Sequence, residues 1–252
     1  MESRGPLVDA ILQPLVQVAR ERAQREADAA LNARVAALKT YQQARFRRTY
    51  ADLLASPRYG AAASFFLDDL YGSTDFTQRD AQFARIVPAL TRMFPADTVH
   101  TVIRLAQLHA LTETLDTAMG RQLGPAPIDA AAYVSAWQAV GAAAQRERQV
   151  ALTLMVGQDL DGLTRRPLLA TTLRMMRGPA RAAGLAQLQQ FLENGFATFK
   201  NMRGADEFLA CVAARERALC AALFDPAAPA VLAAPPQDSP LGQLPWPAGV
   251  AG

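Results

Sequence analysis

Apolar residues along this chain recur at helical rather than strand spacing. Leu7, Val8, Ile11, Leu12, Leu15 and Val16 form a stripe at i, i+3 and i+4, which predicts an amphipathic N-terminal helix. Pro14 within it predicts a kink or a division from the next helix. A long helix is then expected over about 16–55, marked by Leu31, Val35, Leu38, Tyr41, Phe46, Tyr50 and Leu53. These marks advance by three to five residues, the narrow seam of a helix with few neighbours, and Ser56-Pro57 ends it. The alternation that would mark strands is nearly absent.

Proline, glycine and capping residues divide the rest into further helices. A short one is expected over 58–71, closed by Gly72 at a left-handed cap position. Thr77 reads as the N-cap of the next, with Asp80 three residues on as in a capping box and Phe76 as a staple; it runs to Phe94 with Pro88 as a kink. Asp97 is placed to cap a helix from Thr98 to about Gly120, and Asp129 one that extends to about Asp159. Pro167 falls in the first turn of a helix ending at Arg177. Helices over 180–202, weakened by Gly184 and Gly195, and over about 206–224 complete the set. Seven of the sixteen prolines lie between Pro226 and Pro247 with almost no charge, so 226–252 is expected to be a Pro/Ala-rich flexible tail. Trp246, between two prolines, is expected to dock on its own domain or in a partner's groove. The expected fold class is all-α: a single multi-helix bundle of about seven to nine helices over 1–225, with a long N-terminal helix and no solenoid repeat.

Composition supports this picture and removes several function classes. Of 252 residues, 52 are alanine and 24 are arginine, both good helix formers. Half the chain is apolar, too much for disorder throughout, and two cysteines exclude a disulfide scaffold. Cys211 and Cys220 are nine apart, on opposite faces of a helix, and read as reduced thiols. The net charge of +3 is distributed with acids interspersed, so the arginines are expected on solvated, salt-bridging helix faces, and nucleic acid is an unlikely partner. No uncharged apolar run is long enough to span a bilayer and no signal-peptide pattern opens the chain; a cytoplasmic protein is expected.

The exception to the mixed charge lies at Phe65-Phe66-Leu67-Asp68-Asp69-Leu70-Tyr71-Gly72, followed by Asp75 and Arg79-Asp80. Four acids fall within thirteen residues, beside three large aromatics. Asp68 and Asp69 occupy the last turn of their expected helix, where the helix dipole disfavours negative charge by roughly 0.3–1 kcal/mol each. A local rule broken twice marks either a specific structural contact or a site. In the structural reading the aromatics wedge into the core and the acids receive arginines or cap the helix at Thr77. In the functional reading the carboxylates form an acid–base or metal site, or a partner surface. The heptad Phe65–Tyr71 resembles the signature of the bacterial FFLEELY-motif proteins, with aspartates where that family name has glutamates. The resemblance implies a helical fold and no known activity.

His100 and His109 face opposite sides of one expected helix, whereas His109, Glu113 and Asp116 share a face. A lone histidine with carboxylates falls short of the Glu-x-x-His pairs of a di-iron bundle, so no metal is assigned and no cofactor is identified. Nucleophile elbows and phosphate-cradling glycine loops are absent. The sequence therefore favours a non-enzymatic interaction or scaffold protein with a protein partner or a homodimer through its long N-terminal helix. The alternative is a helical-bundle enzyme or a cofactor- or metal-binding protein that uses the acids around 68–80.

Overall fold

In a computed structural model, which describes residues 5–67, 77–166, 168–234 and 238–245, the first helix break is made by Asp28. Its carboxylate accepts the Leu31 amide at 3.0 Å and caps α2 (Ala29–Thr49), which leaves α1 (Gly5–Glu26) as a separate helix. The break therefore falls at 27–28 and not at Pro14, which lies inside α1, where a helix tolerates the single lost hydrogen bond. A second unexpected break falls at Gly141 (φ +66°) and Ala142 (φ +61°), whose left-handed backbones divide the helix expected over 129–159 into α7 (Ala130–Val140) and α8 (Ala143–Thr164). Asp129 caps α7 as expected, accepting the Ala132 amide at 2.8 Å.

The remaining helices are α3 (Ala51–Ala55), α4 (Gly60–Phe65), α5 (Thr77–Met93), α6 (Ala96–Gln122), α9 (Leu169–Met175), α10 (Arg177–Ala182), α11 (Ala186–Met202), α12 (Asp206–Phe224) and α13 (Ala228–Ala233). Among the described residues there are thirteen α-helices, nine of them seven residues or longer, and no strand. The protein is all-α, with the long N-terminal helix expected of it.

Helix α6 runs through the centre. It packs against α1, α2, α5, α7 and α8, while α11 and α12 cover the far side of α8. Gly120 lets α2 approach closely: a Cβ there would meet the Val35 and Leu31 side chains, and the Gly120 carbonyl accepts Arg34 Nε at 2.9 Å. Gly157 does the same for α8 against Leu209 of α12. Apolar packing gathers in three clusters. Ile11, Val87, Val99 and Ile103 join α1, α5 and α6; Tyr50, Phe66, Phe199 and Phe208 hold the α3–α4–α11–α12 end; the third surrounds Met119, Tyr133 and Trp137.

That third cluster corrects the expectation of a flexible tail from residue 226. Over 226–234 and 238–245 the chain lies on the domain: Leu232, Leu241 and Leu244 are buried beside Leu38, Tyr41 and Leu223, and Tyr41 donates to the Pro245 carbonyl at 3.2 Å. Leu241 lies in a short 3-10 turn (Pro240–Gln243) that packs against α2, α12 and α13, and Leu244 follows it into the same cluster. Trp246 lies outside the described residues. Leu244→Ala is expected to destabilise the whole domain by about 2–5 kcal/mol, the usual cost of truncating a fully buried leucine. Urea unfolding followed by circular dichroism measures it; a change below 0.5 kcal/mol, roughly that of a surface site, would mean the segment is not part of the core.

Candidate functional site

The structure divides the residues singled out in the sequence. Phe65 and Phe66 are buried; Phe65 stacks on Phe191 at 5.4 Å between ring centroids, and Phe66 packs against Phe199 and Phe208. Asp68, Asp69, Tyr71 and Asp75 lie outside the described residues, as does the side chain of Arg79. Asp80, near the start of α5, is placed in the interior. Its Oδ2 lies 2.8 Å from His109 Nε2 on α6 and accepts from Arg22 on α1 at 2.7 Å. Asp80 thus joins three helices, α1, α5 and α6.

One turn along α6, Glu113 is 3% exposed. Its Oε2 accepts Arg25 Nη2 at 2.5 Å and its Oε1 accepts Lys39 Nζ at 2.6 Å, while Arg25 Nη1 donates to Thr117 at 2.9 Å. Asp116 follows on the same face, with Gln42 Nε2 donating to its Oδ1 at 3.2 Å. The face read from the spacing of His109, Glu113 and Asp116 therefore exists, and it is turned inward. These three side chains, with Asp80 and Lys39, form one wall of a cavity of about 140 Å³. The opposite walls are apolar, built by Leu15, Phe83, Leu105, Leu188, Phe191 and Leu192.

Burial and pairing act against each other here. Burial raises the Glu113 carboxyl, but Lys39 and then Arg25 outweigh it and hold it down at about 2. Asp80 is also lowered: burial opposes its charge, and His109 and Arg22 prevail. Asp116 goes the other way. Its burial dominates, Lys39 offsets that only in part, Glu113 adds repulsion, and the carboxyl is raised.

The wall thus presents a paired anion, a histidine held by a carboxylate, and an acid inclined to keep its proton. With Nε2–H donated to Asp80, the His109 ring keeps a lone pair at Nδ1, for which the described residues offer no partner. Proton exchange with a bound molecule is within its reach. Among the described residues no three His, Cys, Asp or Glu side chains converge as metal ligands. Arg22, Arg25 and Lys39 were not singled out in the sequence. Their only signal is that Lys39 is one of two lysines among 26 basic residues.

Sequence comparison assigns residues 21–229, most of the chain, to a family described as a domain of unknown function (DUF8198), and the protein belongs to that family. No curated protein and no solved structure matches the chain. The family span takes in all the charged residues of the cavity wall and ends before Leu241 and Leu244.

The opposed shifts give the stability two pH-dependent limbs. Glu113 has a lowered value in the folded state, so its contribution is complete above its unfolded value and is lost as pH falls toward about 2. Asp116 has a raised folded value, so stability declines as pH rises through the range where the unfolded carboxyl has already ionised. Asp116→Asn should therefore gain on the wild type in chemical-denaturation stability as pH rises above about 4. A gap that stays constant from pH 4 to 8 would contradict the raised value.

Proposed function

We propose that this DUF8198 protein binds a small amphipathic molecule inside its helical bundle. One observation supports this reading above the others: five ionisable side chains, with Gln42 and Thr112, border a void whose remaining walls are apolar, mostly leucine and phenylalanine. A core that needed only to be stable would close that space, because each missing methylene costs about 1 kcal/mol. An apolar cavity with a few convergent polar groups is the general form of a small-molecule site. The ligand's polar end would lie toward Lys39, His109 and Glu113, and its apolar body toward Leu105 and Phe191. The His109–Asp80 pair makes the site suited to acid–base chemistry as well as to binding.

A second reading, the interaction protein expected from the sequence, draws support from Leu168 and Met175, which are 77% and 67% exposed beside and within α9. Much of the apolar stripe of α1 is used within the chain, where Ile11 is buried, while Val16 at 51% exposed leaves an apolar edge of that helix to a homodimer. Membership of the FFLEELY-motif group and a bacterial setting belong to the same proposal and rest on the heptad Phe65–Tyr71. Among the described residues no helix is long and apolar enough to cross a membrane.

The two readings separate experimentally. Decanoate, decylamine and decanol serve as amphipathic probes of either headgroup charge. At least one should raise the melting temperature of the wild type, and Leu105→Trp, which fills the cavity, should abolish that shift while the protein stays folded. Three null results with the wild type, or an equal shift with Leu105→Trp, would remove the ligand reading. A dimer by light scattering that Met175→Glu dissociates would support the interaction reading; a monomer at every concentration would remove the homodimer.

A further inference from the structure

A second cavity, of about 90 Å³, adjoins the first and shares Gln42, Thr112 and Asp116 with it. Its remaining walls include Arg45, Trp137 and Arg146. Arg146, on α8, is 3% exposed, and its guanidinium lies over the Trp137 ring at 3.8 Å from the centroid. It donates to Gln149 Oε1 at 3.2 Å and to Met119 Sδ at 3.0 Å, both neutral groups. Among the described residues no carboxylate is within ion-pair distance of it. A buried guanidinium is therefore left with its charge unmatched, although burial of an ion without a partner is strongly unfavourable.

The hydrogen-bond inventory of this cavity points the same way. Arg146 Nε is buried without a partner. So is Arg45 Nε, whose terminal nitrogens are engaged by Glu216, and so is Trp137 Nε1. All three are N–H donors, and all three belong to side chains of this one cavity. What the wall lacks is an acceptor. Arg45 is neutralised by Glu216, which leaves Arg146 as the cation without an ion-pair partner, and Asp116 and Glu216 on the same walls would repel a dianion. An acceptor with one negative charge, planar and small, satisfies these conditions. Guanidinium groups pair with carboxylates through parallel N–H···O bonds, which matches that description.

We propose that this second cavity is a binding site for a short-chain monocarboxylate, with Arg146 as its cationic anchor and Trp137 and Arg45 as neighbouring donors. This site is independent of the amphipathic ligand proposed for the first cavity.

The test uses the full chain with sodium propionate as the probe, at constant ionic strength against sodium chloride. Propionate should raise the melting temperature and give saturable binding by calorimetry, and chloride should do neither. Arg146→Met removes the cation and keeps the stem over Trp137, so it should fold and should lose roughly ten- to a hundredfold in propionate affinity. Arg146→Lys keeps the charge without the fork and should fall between them. Leu105→Trp, at a residue that does not line the second cavity, should leave propionate binding intact, which distinguishes failure here from failure of the first reading. Equal shifts by chloride and propionate, no binding, or unchanged binding by Arg146→Met would overturn the proposal and leave the cavity as a pocket for water.

Discussion

Glu113 lies in the middle of a helix that has neighbours on almost every side, and a carboxylate in that position is tolerable only if cations reach it. Two do, Arg25 from the last turn of α1 and Lys39 from the middle of α2. Neither helix can slide along α6 without breaking a contact, since one turn displaces a side chain by about 5.4 Å. The break capped by Asp28 lies between the two cations in sequence and sets the angle at which both arrive. Breaking such a buried pair from one side costs about 3–5 kcal/mol, comparable to a large part of a domain's stability. The ion triad thus fixes the register of α1 and α2 on α6, to which apolar contacts such as Ile11 with Ile103 and Val35 at Gly120 also hold them.

Side chains held by charged hydrogen bonds cannot swing to fill a nearby space. That explains why cavities accompany the ionic face of α6. The first lies against His109 and Glu113, and the second against Asp116. A third, of about 130 Å³ and almost wholly apolar, is reached past Val102, Leu105, Phe191 and Leu192, which it shares with the first. Phe65 lines this third space and stacks on Phe191, and a Cβ at Gly195 would press on its ring at 2.9 Å. The aromatic half of the Phe65–Tyr71 segment is therefore a wall between core and cavity. Of the acids over 68–80, Asp80 alone is among the described side chains, and it stands in the wall of the first cavity.

Helix identity was legible up to Phe224 because alanine, arginine and leucine at 3.6-residue spacing leave no competing reading, whereas α13 in the tail was missed. Boundaries were legible where proline or a capping aspartate stood, as at Asp129, and missed where a backbone conformation decided, as at Gly141-Ala142. The tail was misread for a related reason: its composition is that of a loop, and only its packing against α2 and α12, distant in sequence, makes Leu241 and Leu244 core. For the site, the face formed by His109, Glu113 and Asp116 followed from spacing within one helix. Whether that face looks outward or inward depends on α1 and α2, whose contributing residues are 74 to 88 positions away in sequence. Arg25 and Arg146 carry no local mark that separates them from the other arginines of the chain.

The contrast between Glu113 and Arg146 bears on what the interior is for. Both are charged, both are 3% exposed, and both lie close to α6. Around Glu113 every requirement is met: two cations, two occupied oxygens and a lowered pKa. Around Arg146 few are, since its acceptors are an amide and a thioether and burial alone depresses its charged form most. A fold able to bring Arg25 and Lys39 onto one carboxylate is not short of means to pair a charge. Replacing a buried charged pair by apolar groups of similar volume is often neutral or stabilising. The core of this protein therefore gains nothing in stability from holding Arg146 and Asp116 unpaired across one cavity. Their arrangement makes sense once an acceptor from outside the chain completes it.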